Sequence, residues 1–252
     1  MLSKNQIKYI QSLHQKKYRQ QYGAFLVEGA KSVQEVILSD FQIEVLITTE
    51  AFYKENTRLI DRQRKPVEIV SVAELERIGT LESNNAALAV VKTKENIPLL
   101  AESGEIALIL DDIRDPGNLG TILRIADWYG IRKILCSETT ADVYNPKVIS
   151  ASKGSFTRVN WWYGDIVDFL KQSSVNGSVV YGAFLEGEDV HTLPFQHSGY
   201  LIMGNESNGI RPEVEQYVTQ KVTIPKYGDA ESLNVGIATA ILLDNWRRNV
   251  TL

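Results

Sequence analysis

Strand and helix patterns alternate along the whole 252-residue chain, which predicts an α/β protein made of two successive domains. Three observations carry that prediction. Uninterrupted apolar runs such as Ile106-Ala107-Leu108-Ile109-Leu110 and Leu201-Ile202-Met203 suit parallel strands covered on both faces. Residues 93–104 are polar, aperiodic and broken by Pro98, the character of a linker between a domain at 1–92 and one at 105–252. The stretch 224–246, IPKYGDAESLNVGIATAILLDNW, passes from a strand end through a polar loop into a helix flanked by the small residues Gly236, Ala238 and Ala240.

In the first domain, residues 5–13 and 16–21 read as short helices, the first with Ile7, Ile10 and Leu13 on one flank. Residues 24–27 form a strand, and Gly29 opens a helix through Val33, Val36, Ile37 and Leu38. A strand at 43–48 and a helix near 51–56 follow, then a basic stretch holding Lys54, Arg58, Arg62, Arg64 and Lys65. Residues 67–70 are a strand, Ser71 caps a helix with Glu74 in the capping-box position, and 87–91 close the domain as a strand.

The second domain begins with a strand at 105–112, then turn residues Asp115-Pro116-Gly117-Asn118 and a helix through Ile122, Ile125, Ala126 and Tyr129. Strands at 132–136, 158–162, 178–184 and 200–203 alternate with helices at 146–151 and 166–172. A short helix starts at Arg211-Pro212, with proline in its first turn. Residues 220–224 lead into the last helix, with Ser232 as N-cap and Leu233, Ile237, Ala240, Ile241 and Trp246 as its buried flank.

Composition narrows the function classes. No apolar run reaches the roughly 20 residues of a membrane span, and the N-terminal stretch lacks the apolar segment of a secretory leader, so a cytoplasmic protein is expected. Cys136 is the single cysteine and His14, His191 and His197 are scattered, so neither an internal disulfide nor a metal site is expected. The formal charge of −4 divides unevenly, into +2 for residues 1–92 and −6 for the remainder. Lys4, Lys8, Lys16, Lys17 and Arg19 precede the first carboxylate, Glu28, and make a candidate phosphate-binding patch.

Three loops after apolar strands of the second domain hold the candidate chemistry, because ligands of open α/β sheets bind at the carboxyl ends of strands. They are 111–120, 204–209 and 227–234, and with the following helix they offer Asn118, Arg124, Glu206, Ser232 and Asn234. The segments NLGTILRIA, IMGNESNGI and IPKYGDAESLNVGIATAI, in that order, resemble the three motifs of the SpoU (TrmH) family of RNA ribose 2'-O-methyltransferases in the SPOUT superfamily. The likeness covers residues 105–248. Residues 1–92 resemble, more loosely, the L30e-like substrate-binding domain that often precedes it.

The resemblance implies a parallel sheet with a deep trefoil knot, homodimerisation through the knot domain, S-adenosyl-L-methionine as cofactor, and structured RNA as substrate, with ribosomal RNA favoured over transfer RNA. It implies cofactor contacts at Gly204, Ile224 and Leu233, with Ala183 and Phe184 at the end of their strand. It makes Arg124 the functional arginine, gripping a phosphate beside the reacting ribose; a guanidinium stays protonated and so positions rather than accepts a proton. Asn118 would hold the RNA or the arginine, Glu206 would orient Arg124 or a hydroxyl, and Ser232 and Asn234 would complete a pocket at a helix start. Ile125 and Gly236 depart from the family pattern, which often has a small polar residue and a serine there.

Rivals fail on specific residues. A dinucleotide-binding domain needs G-x-G-x-x-G after its first strand, which Gly117-Asn118-Leu119-Gly120 does not supply, and no Gly-Lys-Ser or Gly-Lys-Thr marks a phosphate-binding loop. The remaining alternative is a non-catalytic RNA-binding or ribosome-associated protein that keeps the fold. Intact Arg124, Glu206, Ser232 and Asn234 argue against it.

Overall fold

The computed structural model describes residues 2–61, 66–173 and 177–251. Arg62, Arg64 and Lys65 of the basic stretch therefore lie outside the described residues. Two compact units emerge, residues 1–95 together with 142–157, and residues 96–141 together with 158–252.

The first unit runs α1 (Lys4–Ser12), α2 (Lys16–Tyr22), β1 (Ala24–Glu28), α3 (Ala30–Leu38), β2 (Ile43–Thr48), α4 (Glu50–Ile60), β3 (Val67–Ile69), α5 (Val72–Ile78) and β4 (Ala87–Lys92). The strands form one mixed sheet in the order β1-β4-β2-β3, with β4 antiparallel to both β1 and β2. Reciprocal capping boxes start α1 at Ser3 and Gln6 and α5 at Ser71 and Glu74, satisfying backbone donors that a helix start leaves open. Leu26, Leu88 and Val90 pack against Ile10 and Leu13 from the α1 region and Leu75 and Ile78 from α5.

Residues 142–157, which the sequence reading assigns to the second domain, pack here for an aromatic reason. Tyr144 and Phe156 close on Phe25 at ring-centroid distances of 4.6 and 6.1 Å, and Phe156 meets Phe41 at 5.7 Å. Arg19 corrects a second expectation. Only 3% exposed, it pairs with Asp142 Oδ2 at 2.7 Å and donates to the carbonyls of Leu13 and His14, so it pins the α1–α2 turn and cannot face RNA. Lys4, Lys8, Lys16 and Lys17 are exposed.

The second unit contains β5 (Ile106–Leu110), α6 (Pro116–Trp128) and β6 (Lys133–Ser137), after which α7 (Pro146–Ser152) belongs to the first unit. It resumes with β7 (Asn160–Gly164), α8 (Ile166–Ser173), β8 (Val180–Asp189), β9 (Gly199–Met203), α9 (Pro212–Glu215), β10 (Gln220–Thr223) and α10 (Val235–Thr251). The six strands among the described residues are all parallel, in the order β10-β8-β9-β5-β6-β7. The apolar runs of β5 and β9 are buried along their whole length, as strands covered on both faces must be.

Two elements differ from expectation. β8 does not stop at Phe184: Gly182 pairs with Lys221 and Glu188 with Val222, so residues 183–187 bulge out of the ladder before pairing resumes. In α10 the buried face is Val235, Thr239, Leu242, Leu243 and Trp246, whereas Ile237 is 54% and Leu233 48% exposed. Trp246 fixes that rotation. Its ring meets Tyr181 and Phe195 at 4.8 and 5.4 Å, and its indole N–H donates to Gln196 O at 2.7 Å.

Candidate functional site

The carboxyl ends of β5 and β9 are tied together by buried polar groups. Asp111, fully buried after the apolar run of β5, accepts from Arg211 Nε at 2.8 Å and from the Arg211 backbone N–H at 2.9 Å. A carboxylate this deep needs a paired, hydrogen-bonded cation, and Arg211 supplies both interactions. Asp112 sits at φ 63°, an uncommon conformation for a residue with a side chain, and its N–H donates to Ser137 Oγ at 2.9 Å. Burial works against the Asp112 carboxylate, yet hydrogen bonds from Arg114 and Thr139 and the nearby positive charges hold it below the usual carboxylate range.

After β9 the loop is organised by Asn205. Its amide donates to Asp112 O at 2.8 Å, its carbonyl accepts from the N–H groups of Ser207 and Asn208, and its backbone pairs twice with Gly209. Gly204 must be glycine, because a Cβ there would lie 2.3 Å from Gly209 C and Ile210 N. Asn205, Asp111 and Arg211 were not singled out from sequence. The available signal was an aspartate ending a buried apolar strand, which has to find a cation somewhere.

Both helices that follow the loops begin with a polar cap. Asp115 accepts from Asn118 N at 2.8 Å and starts α6 with Pro116 in its first turn. At α10 the cap is Asn234, not Ser232: Asn234 Oδ1 accepts from Gly236 N at 2.9 Å and Ile237 N at 3.4 Å. Ser232 lies three residues before the helix and is exposed.

These pieces form a continuous polar chain. Asn118 Nδ2 donates to Glu206 Oε1 at 2.7 Å, and Asn234 Nδ2 donates to Asn118 Oδ1 at 2.9 Å. Each amide is thereby oriented, running from a carboxylate to the N–H groups at the start of α10. Three loops separated by 116 positions of sequence thus meet through side chains, and three of the five predicted chemical residues are joined directly.

Arg124 and Ser232 are not part of that chain. Arg124 is on the exposed side of α6, one turn beyond Thr121, where α10 passes so closely that a Cβ on Gly236 would sit 3.1 Å from the threonine methyl. Neither Arg124 nor Ser232 has a hydrogen-bond or ionic partner among the described residues. Among the described residues Arg124 is thus an unpartnered cation, just under two turns beyond Asn118 along α6.

Four of the five expected cofactor residues lie on three neighbouring strands or directly after them. Gly204 follows β9, Ile224 follows β10, and Ala183 with Phe184 opens the bulge of β8, the strand between those two. Ala183, Phe184 and Ile224 are half-buried, Lys221 Nζ stands 4.6 Å from the Phe184 ring centroid, and Leu233 is exposed. The arrangement offers apolar surface beside tightly turned backbone, the combination a flat heteroaromatic ligand requires. Among the described residues no cluster of histidine, cysteine or carboxylate side chains has the makings of a metal site.

Comparison with known proteins agrees in both units. Residues 105–244 match the model of the SpoU rRNA Methylase family, and residues 4–89 match the MRM3-like substrate binding domain. The 23S rRNA (guanosine(2553)-2'-O)-methyltransferase RlmP of Bacillus subtilis is 30% identical over 249 residues, covering 97% of each chain. Among solved structures, a TrmH-family protein from Porphyromonas gingivalis is 38% identical with a TM-score of 0.88, covering 98% of this chain and 99% of its own. An AdoMet-bound rRNA methyltransferase from Sinorhizobium meliloti is 28% identical, also at 0.88, covering 98% and 96%.

Proposed function

Because the chain belongs to the SpoU rRNA Methylase family, we propose that it is an S-adenosyl-L-methionine-dependent methyltransferase acting on a ribose 2'-hydroxyl of structured RNA, ribosomal RNA in preference to transfer RNA. The observation that carries this reading is the Glu206–Asn118–Asn234 chain with Arg124, unpaired among the described residues, further along the helix that holds Asn118. A purely structural cap at α10 requires Asn234 alone; it does not require a carboxylate and a second amide brought from two other loops.

Gly204, Ile224, Leu233, Ala183 and Phe184 would hold the adenosine part, the apolar side chains against the base and the glycine loop against its edge. When bound, the cofactor supplies an electrophilic methyl group on a positively charged sulfur. Arg124 grips the phosphate next to the target ribose through paired N–H donors, and as a permanent cation it positions the substrate without taking a proton. Glu206 Oε1 is occupied by Asn118, so its other oxygen is the one that accepts a hydrogen bond from the 2'-hydroxyl. A weak base suffices, because the hydroxyl proton becomes strongly acidic only as the oxygen gains its methyl group. Ser232 and Asn234 line the same mouth. Holding reactants in one orientation is the main source of rate here.

The same reading includes an L30e-like RNA-binding role for the first unit through Lys4, Lys8, Lys16 and Lys17, a deep trefoil knot in the second, a cytoplasmic location, and a homodimer. The dimer is supported by Trp128, 83% exposed on α6, and by the exposed Ile237 on α10, apolar side chains that a second copy would cover. Scattering in solution tests it: a dimer is expected, and a fully active monomer contradicts it. For the activity itself, calorimetry with S-adenosyl-L-methionine is expected to give saturable heat. A protein that binds RNA without binding the cofactor is instead the non-catalytic alternative.

A further inference from the structure

The α1–α2 pair holds an aromatic group that the methyl-transfer chemistry does not use. Tyr22 ends α2 and is 47% exposed, although it touches two other rings. Tyr18, one turn earlier, stacks on it with centroids 6.3 Å apart and planes at 16°, and Tyr9 of α1 meets it edge-on at 5.1 Å and 87°. Tyr9 is itself anchored, its hydroxyl donating to Glu44 Oε2 at 2.8 Å. The Tyr22 ring is thus held by two neighbours while the residue stays nearly half exposed.

The surrounding charge is cationic. Lys17 Nζ stands 5.8 Å from the Tyr18 ring centroid, Lys16 precedes it on the surface, and Lys92 pairs with Glu44 at 3.6 Å. Glu44, the carboxylate of this cluster, is engaged by both Tyr9 and Lys92. Gly23, at φ 59°, stops α2 directly after Tyr22 and so leaves the ring at the helix end. A pre-oriented, half-exposed aromatic ring beside cations is the arrangement by which proteins take an unpaired base on the ring and its phosphates on the lysines.

We propose that Tyr22, backed by Tyr18 and Tyr9, is a stacking platform for one unpaired base of the RNA, with Lys16 and Lys17 on the adjoining phosphates. This deepens the RNA reading above and rests on it. The platform prefers single-stranded or looped RNA over a continuous duplex, whose bases are already stacked.

The test uses the full-length protein and a short single-stranded uridine oligoribonucleotide carrying one 5-iodouridine. Irradiation is expected to cross-link the iodinated base to Tyr22 or Tyr18, as mapped by peptide mass spectrometry; cross-links elsewhere overturn the proposal without any mutation. With the same oligonucleotide carrying a fluorophore, Tyr22→Ala is expected to weaken binding roughly 5- to 150-fold, while Tyr22→Trp binds at least as well as the parent. Salt dependence separates stacking from a general loss of structure: Tyr22→Ala keeps the slope of log K against log salt, and the Lys16→Gln, Lys17→Gln double variant lowers it by about 0.7 for each phosphate no longer neutralised. Equal affinity of Tyr22→Ala and the parent refutes the platform while leaving methyl transfer to RNA standing. A parent protein that binds neither this oligonucleotide nor ribosomal RNA refutes both.

Discussion

Asn118→Asp is the substitution that interrogates the polar chain most sharply, because it changes one heavy atom and abolishes one hydrogen bond while keeping the other. In the parent, Nδ2 donates to Glu206 Oε1 at 2.7 Å and Oδ1 accepts from Asn234 at 2.9 Å. The aspartate keeps the acceptor and replaces the donor by a charged oxygen, setting two carboxylates at hydrogen-bond range. Losing the bond costs about 1 kcal/mol. Like charges about 4 Å apart add roughly 1 kcal/mol when well solvated, and exposed Glu206 places the pair at that low end. The total near neutral pH is therefore about 2 kcal/mol, close to that of Asn118→Ala, which loses both bonds and gains no repulsion. Acid separates the two variants. One shared proton restores a donor between the aspartate and Glu206, so Asn118→Asp recovers toward the parent as pH falls and Asn118→Ala does not. The assay is amide hydrogen exchange at Gly236 and Ile237, whose N–H groups rest on Asn234 Oδ1, alongside methyl transfer. Faster exchange in both variants at neutral pH, reversed in acid only for the aspartate, is the expected pattern. Unchanged exchange with full activity in both would mean that the three loops are not coupled through Asn118.

Other consequences are as specific. Arg124→Ala is expected to leave unfolding within about 0.5 kcal/mol of the parent, since the side chain is exposed and unpartnered among described residues, while methyl transfer falls about 100-fold or more; a melting curve and a rate on one preparation check both. Arg19→Ala is expected to destabilise the protein by about 3 kcal/mol, because it removes the cationic partner of the largely buried Asp142 and the donor to two carbonyls, yet to leave the salt dependence of RNA binding unaltered. Asp112 gives a pH signature. Its folded carboxyl is held below the ordinary value of about 4, so its contribution is complete above that value and is lost as pH falls through the folded pKa. Urea midpoints at pH 7 and in acid should show a shallower acid limb for Asp112→Asn than for the parent.

Much of this was legible in the sequence because it is local. Ser71 and Glu74 announced a capping box, and the apolar runs of β5 and β9 announced buried parallel strands; both are present. What failed depended on long-range contacts. α10 carries apolar residues on more than one side, so helical periodicity could not fix its rotation, which Trp246 sets by docking on Tyr181 and Phe195. Arg19 sat in a run of lysines and read as surface charge, because its partner Asp142 is 123 positions away. Ser232 and Asn234 are both good capping residues, and only the backbone path after β10 selects the asparagine. The loop contacts of Asn205 and the Asp111–Arg211 pair were invisible for the same reason: a buried polar group declares a need for a partner but does not name it.

One measurement bears most directly on the central claim. Ribosomal RNA from cells lacking this gene would be incubated with the purified protein and S-adenosyl-L-methionine labelled in its methyl group, then digested to nucleosides. Label is expected in a single 2'-O-methylnucleoside and is abolished by Arg124→Ala. Label on a base, or none in RNA from a protein shown to bind the cofactor, would contradict it.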